Sequence, residues 1–282
     1  MPLISRDYLI AIICVLFAML TIQSGASIAK QLFEHIGPEG TTAYRIGFSA
    51  IILCLIFRPW RKLPTNWFPL IVYGLCLGGM NISFYYSIER IPLGVAVALE
   101  FLGPLAVAIF SSKRKIDFVW AVFAVLGVIV LLPDISSVNG LDPIGVMLAL
   151  LAGGFWAGYI LFGKKTGSVG SSGSIVAIGM SVAAIAIVPF GAISQGFALL
   201  DWSLIPLGIA IGILSSALPY SLEMVALRKM PSQGFSIFMS VEPAIGALAA
   251  FVILGELLTF WQWMAILMVI TASIGSAATT KR

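Results

Sequence analysis

Residues 97–110 read VALEFLGPLAVAIF, and a single carboxylate, Glu100, stands in this apolar run just before Gly103 and Pro104. The run has the composition of a membrane-spanning helix, which needs about 20 mainly apolar residues. A charge at the bilayer centre costs roughly 2.5–3.5 kcal/mol on insertion scales, so it normally faces a cavity or a partner. Proline has no N–H to donate to the carbonyl four residues back. Pro104 therefore leaves the carbonyl of Glu100 free, and the stretch predicts a broken helix facing a central cavity.

The whole chain shares this apolar character. Of its 282 residues, 60% are hydrophobic and only 10% are charged, whereas soluble domains carry about 25% charged residues. The sequence predicts an all-α polytopic membrane protein with ten transmembrane helices. The ten apolar windows are roughly 8–29, 40–57, 67–88, 93–111, 117–133, 142–162, 174–194, 203–225, 233–254 and 259–278. The first window is too long for a signal peptide and lacks a small-residue cleavage site, which predicts a retained helix.

The basic residues are distributed unevenly between the connectors. With a cytoplasmic N-terminus, most of the 16 Lys and Arg residues fall on the cytoplasmic side, including the runs RPWRK (58–62) and SSKRK (111–115). This is the positive-inside pattern, and it predicts that both termini are cytoplasmic. Because topology explains these runs, the net charge of +4 does not predict a nucleic-acid partner.

The two halves of the chain resemble each other weakly. At an offset of 139, Pro92 matches Pro231 and Pro104 matches Pro243. The basic loop RPWRKLP (58–64) corresponds to SQGFALLD (194–201), which has no basic residue, and the acidic QLFEHIGPEG (31–40) corresponds to the basic GKKTGS (163–168). Five helices per half would turn the second half upside down. The pattern predicts two inverted five-helix repeats, 1–137 and 138–282, an architecture typical of secondary transporters with midplane sites.

Four charged residues within the spans are candidates for function. Glu100 is predicted to bind a substrate ammonium, and Glu223 or Glu242 to carry a proton, although each carboxylate could instead form a purely structural pair. Arg45 either receives a substrate carboxylate or reaches the outer headgroups, where Glu39 and Glu89 are alternative partners.

Five uncharged polar and aromatic residues lie near mid-span and are predicted to line the substrate cavity. They are Asn81, Tyr85, Trp156, Tyr159 and Tyr220. Ordinary helix packing or interfacial aromatic belts are the alternative explanation. The three cysteines and single histidine show no metal-like or catalytic spacing, so we predict no catalytic residue, metal or cofactor.

Several stretches carry a specific resemblance. They are LGGMNISFYYSIERIPLGVAVALEFLGPLAVAIFSS (77–112), ILSSALPYSLEMVALRKMP (213–231), MSVEPAIGALAAFVILGE (239–256), IQSGASIAKQLF (22–33) and LALLAGGFWAGYIL (148–161). Across nearly the whole chain the sequence resembles the EamA-type transporters of the drug/metabolite transporter superfamily, in particular bacterial inner-membrane exporters of small amino acids. The resemblance implies ten helices in two five-helix repeats, and export of threonine and homoserine driven by the proton gradient.

Other functions stay open at this point. The first is an exporter of aromatic amino acids, drugs or other metabolites, for which Trp156 and the tyrosines would form an aromatic cavity. The second is an intramembrane enzyme acting through two carboxylates, and the third a scaffold without cargo. The expected partners are small amino acids, protons and the lipid bilayer, with the chain either a monomer or a homodimer.

Overall fold

The computed structural model describes residues 6–61, 64–91, 93–112, 114–131, 142–166, 171–239, 241–242, 245 and 259–279. This part of the chain is almost entirely helical and contains no strand. The helices are α1 (Arg6–Phe57), α2 (Phe68–Arg90), α3 (Leu93–Glu100), α4 (Leu102–Phe110), α5 (Lys115–Leu131), α6 (Pro143–Lys165), α7 (Ser172–Gln195), α8 (Ile205–Gly212), α9 (Leu218–Lys229), α10 (Ser232–Met239) and α11 (Phe260–Thr279).

Helix α1 consists of two helices separated by a sharp break. Ile36 and Gly37 have non-helical backbone angles, and Gly37 has a φ of 59°, a conformation that glycine adopts without steric cost. Pro38 follows directly and lies in the first turn of the next helix, where no N–H is needed. The break therefore divides α1 close to the boundary predicted between the windows 8–29 and 40–57.

Five helical stretches are long and apolar enough to cross a membrane. They are His35–Phe57, Phe68–Arg90, Pro143–Lys165, Ser172–Leu200 and Ile205–Lys229. Each overlaps one of the predicted windows. Most of the predicted window 233–254 lies outside the described residues, and α10 covers its first part.

Two irregular helical regions position the polar residues of the interior. Only Phe101 separates α3, which ends at Glu100, from α4, which begins at Leu102. The backbone angles of Phe101 are helical (φ −64°, ψ −16°), and its N–H and carbonyl keep their helical bonds to Val97 and Leu105. The helix therefore continues where a break was predicted, apart from the bond that Pro104 cannot make. Helices α8 and α9 are joined by a π turn, Ile213–Ala217, in which the Leu218 N–H donates to the carbonyl of Ile213. Such π turns widen a helix by one residue and are frequent at functional sites.

Small residues bring these helical regions close to their neighbours. A Cβ atom added to Gly103 of α4 would lie 1.9 Å from the carbonyl oxygen of Gly153 of α6, and one added to Gly25 of α1 would lie 1.9 Å from Ser215 Oγ in the π turn. Membrane helices use such residues because close backbone approach supplies packing that lipid cannot. These contacts hold α3–α4 against α6, and the π turn against α1.

Candidate functional site

Arg45 is a buried cation held by both halves of the chain. Its Nε donates to Ser216 Oγ at 2.7 Å, its Nη1 to the Tyr85 hydroxyl at 2.9 Å, and its Nη2 to the Ser215 carbonyl at 2.6 Å. A longer contact of 3.4 Å joins Nη2 to the Tyr220 hydroxyl. Arg45 and these four partners are all buried, so the guanidinium sits in the protein interior and not among lipid headgroups.

The Ser215 carbonyl is available to Arg45 because of a proline. Pro219 lies four residues after Ser215 and has no N–H, so it cannot close the helical bond to that carbonyl. The π turn displaces the same stretch of backbone, and the freed oxygen accepts from Arg45 instead. Sequence analysis missed Ser215 and Ser216, although the spacing from Pro219 was a signal for the first of them.

No carboxylate pairs directly with Arg45 within the described part of the chain. The ion pairs there are Arg90–Asp142, Arg114–Asp117 and Lys229–Asp7. Glu39 instead accepts from the Tyr86 hydroxyl at 2.7 Å and from Gln195 Nε2 at 3.3 Å. The expected alternative pairing of Arg45 with Glu39 or Glu89 is therefore not what the structure shows.

One N–H of the guanidinium remains available to a ligand. Arginine has five N–H donors, and the described bonds from Arg45 use four of them, including the long one to Tyr220. The second N–H of Nη1 has no partner among the described residues. A carboxylate can therefore accept one bond from Nη1 directly, and a second from Nη2 only where it displaces the 3.4 Å contact with the Tyr220 hydroxyl.

Asn81 and Tyr220 form a polar contact beside Arg45. Asn81 Nδ2 donates to the Tyr220 hydroxyl at 3.1 Å, and the hydroxyl lies 3.4 Å from Asn81 Oδ1. The amide also donates to the Leu77 carbonyl at 2.8 Å, which fixes its orientation. The Tyr220 hydroxyl is therefore shared between the amide and the guanidinium.

Glu223 lies in a group of buried tyrosines. Tyr159 donates its hydroxyl to Glu223 Oε2 at 2.8 Å. The Tyr159 ring stacks on Tyr73 with centroids 5.1 Å apart and tilts against Tyr220 at 5.8 Å. Neither the described ion pairs nor the described hydrogen bonds give Glu223 a cationic partner, and Arg228 donates to Ser172 Oγ at 3.3 Å. A buried carboxylate in these surroundings must take up either a proton or a cationic ligand.

Glu100 and Glu242 are the two remaining interior carboxylates. Glu100 is buried at the end of α3, and no described ion pair joins it to Arg45. Glu242 Oε2 is buried and accepts no hydrogen bond from the described residues. Among the described residues, Glu100, Glu223 and Glu242 thus outnumber the one buried guanidinium, and protons or a cationic ligand can balance the difference.

The backbone carbonyl of Glu100 does not face an open space. A Cβ added to Gly153 would lie 2.5 Å from that oxygen, so α6 covers the carbonyl that Pro104 leaves free. Trp156, one turn further along α6, is buried with its ring edge-on to Phe101 at 5.8 Å. The Glu100 side chain, and not its carbonyl, is therefore the group left for a ligand.

Comparison with known proteins identifies the family. The EamA-like transporter family matches residues 9–132 and 143–277. The chain belongs to the EamA-like transporter family. This EamA-like transporter is 50% identical over 273 residues to the threonine/homoserine exporter RhtA of Salmonella typhimurium (strain LT2) and to that of Escherichia coli (strain K12), and each alignment covers 96% of this chain and 92% of the exporter.

Two more distant matches agree with this membership. The uncharacterized transporter YwfM of Bacillus subtilis is 27% identical over 271 residues, which cover 88% of this chain and 89% of YwfM. A solved crystal structure shares the fold with a TM-score of 0.75 at 17% identity, over 95% of this chain and 96% of that one. The EamA-like resemblance expected from the sequence is confirmed. The apolar helices and the exporter relatives indicate a transporter of the bacterial inner membrane, and not an enzyme.

Proposed function

We propose that this EamA-like transporter exports small amino acids, threonine and homoserine among them, from the cytoplasm in exchange for protons. The observation that carries the proposal is the buried guanidinium of Arg45, which has one N–H without an acceptor and no carboxylate partner among the described residues. The family membership supports export, and the 50% identity to exporters named for threonine and homoserine supports this cargo.

A zwitterionic amino acid matches the charges of the site. The substrate carboxylate accepts from the remaining N–H of Arg45 Nη1, next to the Tyr85 hydroxyl, and from Nη2 in place of the long contact with Tyr220. The substrate ammonium binds Glu100, the buried carboxylate at the end of α3. A guanidinium and a carboxylate in one site orient the substrate and reject molecules that carry only one of its charges.

Proton coupling is assigned to the other two carboxylates. Glu223, with a single described hydrogen bond from Tyr159, and Glu242, with an unpartnered oxygen, take up protons as substrate leaves. Trp156, Tyr159 and Asn81 line the path between these groups. The proposal includes ten transmembrane helices in two inverted five-helix repeats (1–137 and 138–282), with both termini cytoplasmic and alternating access through the movement of one repeat against the other.

The test is efflux of labelled threonine and homoserine from proteoliposomes of known orientation, with and without an imposed proton gradient. We expect gradient-dependent efflux from the wild type and its loss in Glu100→Gln. The matched control is Glu89→Gln, because Glu89 is exposed at the end of α2. Gradient-dependent efflux that persists in Glu100→Gln would refute the role of Glu100, and efflux only of tryptophan or phenylalanine would move the cargo to aromatic amino acids.

A further inference from the structure

Asn81 and Tyr220 are separated in sequence by the offset that relates the two halves. The offset of 139 comes from the proline pairs Pro92/Pro231 and Pro104/Pro243, and the hydrogen bond from Asn81 to Tyr220 joins residues that are 139 apart. The proline pairs and the hydrogen bond are independent observations. Each residue of the contact is therefore the counterpart of the other.

The backbone supports the same offset next to this contact. Helix α2 ends at Arg90 and α9 ends at Lys229, positions that are 139 apart. The residues that follow have matching extended conformations, with φ −129° and ψ 156° at Ile91, and φ −130° and ψ 160° at Met230. Helices α3 and α10 then begin at equivalent positions, Leu93 and Ser232. The alignment of the halves thus holds from the contact residues through the following helix start.

A contact between two equivalent residues has a special place in an inverted repeat. A two-fold axis carries each residue onto its counterpart, so two counterparts touch only where the axis passes between them. When the halves exchange conformations, as alternating access requires, such a contact is carried onto itself. A contact between non-equivalent residues is instead exchanged for a different one in the opposite half.

We infer that the Asn81–Tyr220 contact is the pivot of transport, kept in both the inward-open and the outward-open states while the halves move about it. The inference rests on the proposed function, since it takes the halves as inverted repeats. Both residues are buried, and Tyr220 also contacts Arg45, so the pivot is adjacent to the proposed carboxylate site. Asn81 and Tyr220 are positioning residues that hold the Arg45 guanidinium at the proposed carboxylate site in both states.

The Tyr159–Glu223 hydrogen bond provides the contrast. These residues are 64 apart, so they are not counterparts. At the offset of 139, the counterpart of Glu223 is Phe84, which cannot accept a hydrogen bond. When the halves exchange conformations, Tyr159 and Glu223 take up the separation that their counterparts Leu20 and Phe84 have in this structure. Symmetry therefore does not preserve this bond as it preserves the Asn81–Tyr220 contact.

The test is a double-mutant cycle measured on each face of the membrane. Asn81→Ala, Tyr220→Phe and the double variant are reconstituted in one orientation, and the KM for threonine is measured by counterflow from the cytoplasmic and the periplasmic sides. The cycle isolates the pairwise term from the loss of either side chain alone. We expect KM values that depart from additivity by roughly 2- to 10-fold, as for a neutral hydrogen bond, and by the same factor on both faces.

Tyr159→Phe with Glu223→Gln is the comparison pair, for which symmetry does not require equal non-additivity on the two faces. Non-additivity of the Asn81/Tyr220 pair on one face alone, or on neither, would overturn the pivot.

If the wild type carries neither threonine nor homoserine, the proposed function fails, and the pivot is then tested by a measurement that needs no substrate. Cys14, Cys54 and Cys76 are then replaced by serine, and spin labels are placed on Asn81→Cys and Tyr220→Cys. Dipolar broadening that stays constant under either direction of a pH gradient supports the pivot, and broadening that changes refutes it.

Discussion

Two adjacent glycines of α6 are expected to respond in opposite ways to the same substitution. A Cβ at Gly153 would lie 2.5 Å from the carbonyl oxygen of Glu100 and 3.2 Å from its carbonyl carbon, whereas a Cβ at Gly154 meets nothing within 4 Å. Both glycines lie within α6. Alanine gains helix propensity over glycine at both positions, by up to about 1 kcal/mol, so this gain cancels in a comparison of the two variants.

The cost at Gly153 follows from the atoms that oppose it. Real Cβ atoms essentially never approach within 3.0 Å of another heavy atom, so α6 and α3 must separate by at least about 0.5 Å, and overpacking of this kind typically costs about 1–3 kcal/mol. The opposing atoms are backbone and cannot rotate away. Gly153→Ala should therefore be less stable than Gly154→Ala by about 1–3 kcal/mol, or roughly 2–12 °C in Tm on the scaling of soluble domains.

The assay combines thermal unfolding in detergent with threonine efflux. Because the contact of Gly153 is with Glu100 itself, separation of the helices displaces the proposed ammonium site, and Gly153→Ala should also raise the KM for efflux. Gly154→Ala should keep wild-type kinetics and at least wild-type Tm. Equal Tm values for the two variants, or a higher Tm for Gly153→Ala, would refute the packing argument.

Three further substitutions test other parts of the structure. Arg45→Lys keeps the charge but loses the planar guanidinium. Loss of one charge-assisted bond to the substrate should raise the KM for threonine roughly 10- to 150-fold. Arg90→Lys is the exposed control, and an unchanged KM in Arg45→Lys would contradict the carboxylate site. Lys164→Met removes two hydrogen bonds, to the carbonyls of Leu227 at 2.7 Å and Met230 at 2.6 Å. It should lower the stability measured by thermal unfolding by about 1–2 kcal/mol, after allowance for the partial exposure of Lys164. Lys165 is exposed, so Lys165→Met should leave the stability unchanged. Asp142 accepts from the Ile144 N–H at 2.8 Å as the N-cap of α6, and this bond, followed by that from Arg90, lowers the pKa of the carboxyl. The stability that Asp142 contributes is therefore fully present above about pH 4 and is lost as the pH falls through the lowered pKa. When Tm is measured against pH, it should fall less below pH 4 in Asp142→Ala than in the wild type. An identical fall in the two proteins would contradict this role.

The helices were predictable from the sequence because lipid imposes a single strong requirement. A span must be long, apolar and internally hydrogen-bonded, and that requirement is visible in local composition. The window predicted at 67–88 appears as Phe68–Arg90 and the one at 142–162 as Pro143–Lys165. Pro104 marked the missing bond near Glu100 equally locally, but the break expected there was wrong, since the helix continues through Phe101.

The position of Arg45 could not be predicted in this way. Its place in the sequence, about one turn into an apolar window, fits a headgroup contact as well as a buried site. What decides between them is a partner 170 residues away, the Ser215 carbonyl, together with hydroxyls from α2 and α9. Local periodicity carries no information about which distant backbone group will be unpaired at the same depth.

Pro104 and Pro219 each leave the carbonyl four residues earlier without a helical donor, but the two freed carbonyls are used differently. Pro104 frees the carbonyl of Glu100 and Pro219 frees that of Ser215, by the same missing N–H. Beside Glu100 the neighbouring residue is Gly153, which lets α6 approach until it covers the oxygen. Beside Ser215 a guanidinium reaches the oxygen instead. The free carbonyl of Glu100 therefore serves close packing, and that of Ser215 anchors the cation on which we expect substrate binding to depend. Proline spacing identifies where a backbone acceptor is exposed, and the side chain of the facing helix decides how it is used.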